Sequence, residues 1–262
     1  MSSFSTVLIT GANRVIPDLI LSHSTTGIGT GLVTLYLANP NTTVIATVRN
    51  PLAAESLHSL HKASGSRLVI IKLDIASTES IKAGVESLTS EHSINSIDVV
   101  IANAGIVGMT PKLTETAISE IETYIHVNAY GQLELYKAVA PLLRKSESMA
   151  KFAYISSAGG SLTSMSNIVP LAAYGASKAL GNFLIKWLSL ETHDVLIWAQ
   201  HPGMVATDSA KVGFEALEQQ GLDLTTHIVS VEQSTQGIKK VVRVPVVRLV
   251  IVHVFEKKAD KS

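Results

Sequence analysis

Short apolar runs rich in β-branched residues alternate along this chain with longer segments of helical character. The runs fall at 6–10, 43–48, 67–73, 97–102, 152–156, 195–200 and 249–255. Helices are predicted at 27–37, 51–63, 77–90 and 116–145, around Tyr174 and Lys178, and from about 230. Because a strand that returns through a helix lies parallel to the strand before it, this order predicts a parallel sheet covered on both faces. The fold class is therefore α/β, with a doubly wound sheet of about seven strands.

The length and composition bound the kind of domain and exclude several chemistries. A chain of 262 residues suits a single α/β domain over 1–262. It contains no cysteine, which excludes disulfides, thiol nucleophiles and cysteine-ligated zinc. The nine histidines form no H-E-x-x-H or comparable pattern, so we expect no metal site. A serine hydrolase is disfavoured, because neither Ser157 nor Ser161 stands in a Gly-x-Ser-x-Gly elbow.

The charge pattern points away from nucleic acids and membranes. The formal net charge is zero and charged residues make up 16% of the chain, so there is no basic field to attract polyanions. The first ten residues lack the basic and apolar regions of a signal peptide. The apolar stretch 241–255 is too short to span a bilayer and is interrupted by charged residues and a proline. We therefore expect a cytoplasmic protein whose partners are small or apolar molecules.

Glycines surround the end of the first predicted strand and the start of the first predicted helix. Gly11 follows the strand, while Gly27 and Gly29 open the helix, where bare backbone lets a pyrophosphate approach the helix N-terminus. Ligands of doubly wound sheets bind beyond the carboxyl ends of the strands, which is where these glycines fall. Glycines also mark ordinary turns, so the pattern alone is weak evidence for a Rossmann-type dinucleotide-binding domain.

The residues after the second and third predicted strands bear on the choice of dinucleotide. An enzyme selective for NAD carries an acid about twenty residues after the glycines, whereas this chain has Thr-Val-Arg at 47–49. Together with Arg14, Arg49 favours a 2′-phosphate and hence NADP, and a solvated surface arginine is the alternative. Asp74 either accepts a hydrogen bond from an adenine amine or caps the helix that begins near Ser77, and the two interpretations have equal weight.

Tyr174 and Lys178 lie four residues apart, so on a helix they share one face. A free phenol has a pKa of about 10, and a cation held nearby favours the phenolate and brings that pKa towards neutrality. The pair therefore suggests a proton donor with a lysine that tunes it. Because a Tyr-x-x-x-Lys arises by chance in about one chain in three at ordinary lysine frequencies, the pair gains weight only from its surroundings.

Seven motifs in one order supply those surroundings. They are TGANR with GIG, then LDI, NAG, the asparagine of HVNAYG, ISSAGG, YGASK and HPGMVAT, between about 6 and 207. In this order and approximate spacing the chain resembles the short-chain dehydrogenases/reductases. Within that family it is most similar to fungal carbonyl reductases related to norsolorinic acid ketoreductase.

The resemblance assigns roles to four catalytic residues. It implies that Tyr174 is the general acid/base, that Ser157 polarises the substrate carbonyl, and that Lys178 lowers the pKa of Tyr174 and grips the nicotinamide ribose. Asn128 would hold a water in the proton relay behind Lys178, the alternative being a polar residue inside a helix. Ser156 competes with Ser157, but strand alternation lets only one of the two face the site, and Ser157 is preferred.

The resemblance also implies a cofactor site and a reaction. The cofactor would be NADPH, and the reaction a hydride transfer between nicotinamide and a ketone or secondary alcohol in fungal polyketide metabolism. A homodimer or tetramer would be the assembly. The residues implied to contact the cofactor are Gly11, Asn13, Arg14, Gly27, Ile28, Gly29, Arg49, Asp74, Asn103, Tyr174, Lys178, Pro202, Gly203, Val205 and Thr207.

Two segments depart from the family pattern. Residues 15–26, VIPDLILSHSTT, interrupt the glycine motif, and their removal would give TGANRGIGTGL. An apolar insert in a loop that must bring backbone amides to a pyrophosphate predicts weakened cofactor binding. From about 208 onward the segment is atypical: the region where the family has its substrate lid is the least family-like part of the chain, and the usual chain ending is missing. The alternative function is therefore a catalytically impaired or silent dinucleotide-fold protein, acting as a sensor or arising as an aberrant splice or gene-model product.

Overall fold

The computed structural model describes residues 6–13, 27–163, 165, 167, 169–207, 214, 218, 221, 228–244 and 251–253. Arg14, the insert 15–26 and most of the atypical segment after 207 lie outside these described residues. The described strands are β1 (Thr6–Ile9), β2 (Thr43–Val48), β3 (Arg67–Lys72), β4 (Val99–Ala102), β5 (Ala150–Ile155), β6 (Val195–His201), β7 (Met204–Val205), β8 (Ile228–Val229) and β9 (Ile251–His253).

Seven of these strands form one sheet in the spatial order β3-β2-β1-β4-β5-β6-β9. Every neighbouring pair in it is parallel, which confirms the α/β class and the doubly wound arrangement. The chain moves outward from β1 in one direction and returns to start β4 on its other side, so the switch point lies between β1 and β4. Ligands of such sheets bind at this point. The last predicted strand, 249–255, is found as β9, which pairs with β6 from Ala199 and Ile251 onward.

The described helices cover both faces of the sheet. They are α1 (Ile28–Leu37), α2 (Glu55–His58), α3 (Thr78–Ser90), α4 (Ile118–Ile125), α5 (Gly131–Leu143), α6 (Ala172–Glu191) and α7 (Val231–Arg243), with 3₁₀ turns at Pro51–Ala53 and Ala158–Gly160. One core layer packs β4 and β5 against α3, α5 and α6. The other packs β1, β2 and β4 against α1 and α7. Fully buried aliphatic side chains in both layers each stabilise the fold by about 1.5–3 kcal/mol.

The helix predicted over 116–145 is found, but its middle is wound differently. A π-helical segment, His126–Tyr130, joins α4 to α5 without a break. By contrast, the helix predicted at 51–63 is much shorter. Asn50 caps the 3₁₀ turn through Leu52, yet only Leu57 of α2 is buried, and the chain then turns back so that Ala63 bonds to Leu37. With only Ala54 and Leu57 buried, the segment 51–63 has little to hold a longer helix against the sheet.

Among the described residues, no helix combines the length and the apolar character that crossing a bilayer requires.

Candidate active site

A cavity of about 300 Å³ lies beyond the carboxyl ends of β1, β2, β3 and β4, at the switch point of the sheet. Asn128, Ser157, Gly203 and Val205 lie outside its lining. Arg14 is outside the described residues. The predicted site residues that line the cavity are Gly11, Asn13, Gly27, Ile28, Gly29, Arg49, Asp74, Asn103, Tyr174, Lys178, Pro202 and Thr207.

The glycines of the interrupted motif meet in one cradle. Gly11 has φ +66°, a conformation that disfavours any side chain, and a Cβ there would lie 2.9 Å from the Cα of Ala104. A Cβ on Gly29 would lie 2.2 Å from the carbonyl oxygen of Gly11. The first turn of α1 carries no acidic residue, and its N-cap, Gly27, makes no side-chain cap bond. The cradle therefore offers backbone N–H groups and the positive end of a helix to an anionic group.

Two side chains that the sequence did not single out hold this cradle in shape. The hydroxyl of Thr30 donates to the carbonyl of Ala12 at 2.6 Å and so ties the first turn of α1 to the loop. The hydroxyl oxygen of Thr10 accepts from the backbone N–H groups of Asn103 and Ala104, both at 2.9 Å. The side-chain amide of Asn103 in turn donates to the carbonyl of Thr10 at 2.9 Å. Asn103 thus joins the ends of β1 and β4, in addition to facing the cavity.

The ends of β2 and β3 form the side of the cavity where an adenosine moiety would bind. Arg49 is exposed there, and Asp74 is half-buried. The cap interpretation of Asp74 is wrong, because Ser77 is the N-cap of α3 and its hydroxyl oxygen accepts from the N–H of Ser80 at 3.1 Å. Asp74 instead accepts from the N–H of Ala76 through Oδ1 at 3.0 Å, a local turn, and it lines the cavity.

Tyr174 and Lys178 are both on α6 and both line the cavity, as the spacing predicts. Lys178 is 4% exposed, and its Nζ donates to the carbonyl of Ile155, at the end of β5, at 2.8 Å. The same Nζ lies 5.8 Å from the ring centroid of Tyr174. Strand β5 therefore fixes a buried ammonium group beside the phenol that the sequence selects as the proton donor.

The hydroxyl groups of Ser156 and Ser157 make different hydrogen bonds. Ser156 is buried, and its hydroxyl donates to Oδ1 of Asn182 on α6 at 2.5 Å. Its proton is therefore engaged within the protein and is not offered to a substrate. Ser157 is half-buried, and its oxygen accepts from the N–H of Gly159 at 3.1 Å. Among the described residues no acceptor takes the Ser157 proton. Ser156 lines the cavity and Ser157 does not, yet only Ser157 retains a donor for a substrate oxygen.

The loop that carries Ser157 is packed directly on the start of α6. A Cβ on Gly175 would lie 2.7 Å from the carbonyl oxygen of Gly159, and a Cβ on Gly160 would lie 2.8 Å from the backbone of Lys178. These close approaches need glycine at positions 175 and 160. They bring the Ser157 turn against the helix that presents Tyr174, and a Cβ on Gly159 would touch the Tyr174 ring at 4.0 Å.

Asn128 is fully buried in the π-helical segment, behind the cavity rather than in its wall. Its Oδ1 accepts from the N–H of Ile106, and its Nδ2 donates to the carbonyl of Ile106 and to the hydroxyl oxygen of Ser177, all at 2.9–3.0 Å. A Cβ on Gly105 would lie 2.8 Å from Oδ1 of Asn128. The side chain thus fixes the loop after β4 and contacts α6 one residue before Lys178. A π-helical turn is often found at functional sites.

The residues present fit a nicotinamide dinucleotide. The cradle at Gly11 and Gly29 suits a pyrophosphate, and a cationic and a polar residue lie at the adenosine side. Tyr174 and Lys178 supply hydrogen-bond donors at the other end of the same cavity, and the hydroxyl of Ser157 lies in the turn packed against the Tyr174 helix, outside the lining. Such an arrangement can hold a redox cofactor at one side and donate a proton at the other.

Comparison with known proteins agrees with this geometry. A family model described as short chain dehydrogenase matches residues 19–218. The chain is 53% identical over 241 residues to Short chain dehydrogenase gsfK of Penicillium aethiopicum, covering 91% of each chain. It is 34% identical over 241 residues to Norsolorinic acid ketoreductase nor1 of Dothistroma septosporum, covering 90% of this chain and 84% of that one.

Solved structures with the same fold include carbonyl reductases. A structure of an NADPH-bound carbonyl reductase from chicken fatty liver is similar, with a TM-score of 0.72 and 29% identity over 91% of this chain and 90% of that chain. The carbonyl reductase Sniffer of D. melanogaster has a TM-score of 0.76 at 24% identity, covers 96% of this chain and 97% of its own, and shows the fold alone. The relatives thus include a short-chain dehydrogenase and a norsolorinic acid ketoreductase, the two groups that the motifs predict.

Proposed function

Because the chain belongs to the short-chain dehydrogenase family, and is therefore an oxidoreductase of a fold that binds a nicotinamide cofactor, we propose that it is an NADPH-dependent reductase of ketones. The observation that carries the proposal is that the glycine cradle, Tyr174 and Lys178 all line the same cavity. A phosphate-binding loop and a tyrosine proton donor are both needed for this reaction, and the cavity is lined by both.

The chemistry assigned to the chain begins with the substrate oxygen. When bound, a nicotinamide cofactor supplies the hydride that adds to the carbonyl carbon. Negative charge then develops on the carbonyl oxygen, and the hydroxyl of Ser157 stabilises it by donating a hydrogen bond. Tyr174 donates its proton to the same oxygen and completes the alcohol. The ammonium group of Lys178 stabilises the phenolate that remains on Tyr174.

The preference for NADPH is inferred from charge. Arg49 lies in the cavity lining at the end of β2, and the residues beside it, Thr47 and Val48, carry no charge. A guanidinium pairs well with a 2′-phosphate, whereas a ribose 2′-hydroxyl is held by a carboxylate. The NADPH-bound carbonyl reductase from chicken fatty liver supports the same choice by analogy. The ketoreductase name of the Dothistroma relative supports a ketone substrate in the same way.

Replacement of the proton donor tests the proposal. We expect the Tyr174→Phe variant to lose NADPH-dependent ketone reduction by about 10²-fold or more, since the tyrosine proton is removed from the reaction. Oxidation of NADPH would be followed at saturating cofactor with acetophenone, larger aromatic ketones and norsolorinic acid.

Tyr136→Phe is the matched control, because the Tyr136 hydroxyl bonds to Thr192 and lies outside the cavity lining. The control should reduce ketones as fast as the wild type. A Tyr174→Phe variant with undiminished kcat would refute the proposed role. A wild-type protein that oxidises NADPH with none of these ketones would refute the proposed function.

A further inference from the structure

A second tyrosine, outside the cavity lining, lies against the ammonium group of Lys178. Tyr154 of β5 is fully buried, and the Nζ of Lys178 lies 4.7 Å from its ring centroid, nearer than to the ring of Tyr174 at 5.8 Å. A lysine ammonium within about 6 Å of a ring centroid is attracted to the ring face. Two phenol rings therefore lie within about 6 Å of the Lys178 ammonium group.

The hydroxyl of Tyr154 has a different partner from its ring. It donates to the backbone carbonyl of Asn128, in the π-helical segment, at 2.9 Å. A Cβ on Gly181 would lie 2.4 Å from this hydroxyl oxygen, so α6 accommodates the phenol only because residue 181 has no side chain. Burial, and then the charge of Tyr174, raises the pKa of Tyr154 well above its usual value. Tyr154 therefore stays neutral and acts as a fixed donor.

Tyr154 closes a buried polar array behind Lys178. The carbonyl of Asn128 accepts from Tyr154, while the side chain of Asn128 donates to the hydroxyl of Ser177 at 3.0 Å. Ser177 precedes Lys178 on α6 and in turn donates to the carbonyl of Tyr174 at 2.6 Å. The array thus runs from β5 through the π-helical segment to the turn of α6 that carries both site residues.

Building on the proposed function, we propose that Tyr154 is a positioning residue for the proton-transfer pair. Its ring holds the ammonium group of Lys178 beside Tyr174, and its hydroxyl fixes the backbone of Asn128, whose side chain bonds to Ser177, the residue before Lys178. A core residue that only filled space would be replaceable by any apolar side chain of similar volume. Here the ring face and the hydroxyl have separate partners, so two variants separate their effects.

The ring is tested with Tyr154→Met, which keeps much of the volume and lacks the aromatic face. We expect the NADPH dissociation constant, measured by fluorescence titration, to rise about tenfold, because the cation–π contact that orients Lys178 is lost. In the alcohol-oxidation direction, the inflection of the kcat/KM pH profile should move to higher pH, because the phenolate of Tyr174 loses part of its cationic support.

The hydroxyl is tested with Tyr154→Phe, which keeps the ring over Lys178 and removes the donor to Asn128. This variant should bind NADPH within about twofold of wild type and show a kcat about fivefold lower, because a buried carbonyl is left unpaired at the site.

Phe152→Met is the matched control for Tyr154→Met, since Phe152 is equally buried on the same face of β5 and its ring packs on Tyr136. It should lower the thermal midpoint without changing affinity or pH profile.

The outcomes distinguish this inference from the proposed function. If Tyr154→Met and Tyr154→Phe have wild-type NADPH affinity, kcat and pH profile while Tyr174→Phe is inactive, the positioning role is wrong and the proposed function stands. If the wild type binds NADPH but reduces no ketone, the function fails while the affinity comparison still tests Tyr154. Should Tyr154→Met not fold, a Tyr154→Phe variant with wild-type kcat overturns the role of the hydroxyl.

Discussion

At the carboxyl end of β2 an exposed arginine stands where an enzyme that selects NAD carries a carboxylate. Arg49→Ala removes the guanidinium proposed to pair with a 2′-phosphate. A hydrogen bond to a charged group contributes roughly 1.5–3 kcal/mol, so we expect the KM for NADPH to rise about 10- to 100-fold. The KM for NADH should change little, since NADH has no 2′-phosphate. Steady-state kinetics with both cofactors measure the difference.

Arg67→Ala is the control for this change. Arg67 is also exposed, but it lies at the opposite end of the sheet, where its Nε donates to the hydroxyl of Thr43. Its removal should leave both KM values as they are. An Arg49→Ala variant that keeps the wild-type ratio of NADPH to NADH would mean that Arg49 is the solvated surface arginine of the alternative interpretation.

Single residues of the site differ in how well their sequence context reveals them. Tyr174 and Lys178 were predictable, because helical spacing alone places them on one face and ordered motifs surround them. Tyr154 was not, because a tyrosine within an apolar strand is indistinguishable from an ordinary core aromatic. Its partners, the Asn128 carbonyl and Lys178, are 26 and 24 positions away and meet it only in the folded chain.

At the scale of elements, α7 is held against α1 by a buried lysine. Lys239 is 7% exposed, and its Nζ donates to the carbonyl of Leu35 at 3.1 Å and to Oδ1 of Asn39 at 2.9 Å. Both acceptors lie at the C-terminal end of α1, where a cation is favourable. Burial, and then the neighbouring Arg243, nonetheless lowers the pKa of Lys239 from 10.5 to about 8.

This shift predicts how stability depends on pH. Between about pH 8 and 10.5 the unfolded chain holds a proton on Lys239 that the folded chain has released, so the free energy of unfolding rises with pH in this window. Above pH 10 the buried Tyr36, whose pKa is raised by burial, opposes the rise because its unfolded form ionises first. Denaturant titrations from pH 7 to 10 should show the rise in wild type and a smaller rise in Lys239→Met, because burial also lowers the pKa of Lys151.

The expected difference is on the order of 1 kcal/mol once solvent screening is allowed for. Lys240→Met is the control, because Lys240 is the adjacent residue on α7 and is exposed. It should retain the wild-type slope. Parallel slopes for wild type and Lys239→Met would show that Lys239 keeps its ordinary titration in the folded chain.

Elements were predicted well where hydrophobic periodicity decides them and poorly where tertiary contacts do. The strands and the long helical region over 116–145 follow from pattern. The π-helical segment within that region does not, since one of its carbonyls, that of Asn128, accepts from the distant Tyr154 hydroxyl. Nothing in the five-residue sequence His126–Tyr130 marks the change of winding.

At the scale of the whole molecule, the fold brings together residues that the interrupted glycine motif separates. Gly11 and Gly29 are in contact although the insert 15–26 lies between them in sequence. The β1 and α1 ends of the cradle are fixed by Thr10, Thr30 and Asn103, none of which belongs to the insert. The cradle is therefore stabilised by its own two sides, and a longer connection does not prevent their meeting.

The effect of the insert on cofactor binding can be tested directly. Deletion of 15–26 rejoins Arg14 to Gly27, and the variant should fold, because the cradle contacts lie outside the deleted residues. We expect it to bind NADPH about tenfold more tightly, which corresponds to restoring one backbone hydrogen bond to the pyrophosphate.

A second variant, with 16–21 replaced by alternating glycine and serine, keeps the loop length and removes the apolar side chains. If only the deletion tightens NADPH binding, the length of the loop is what weakens binding in the wild type. If both variants tighten it, the apolar side chains of 16–21 are the cause. Equal NADPH affinity in all three proteins would show that the insert leaves cofactor binding intact. The insert would then not explain a loss of catalytic activity.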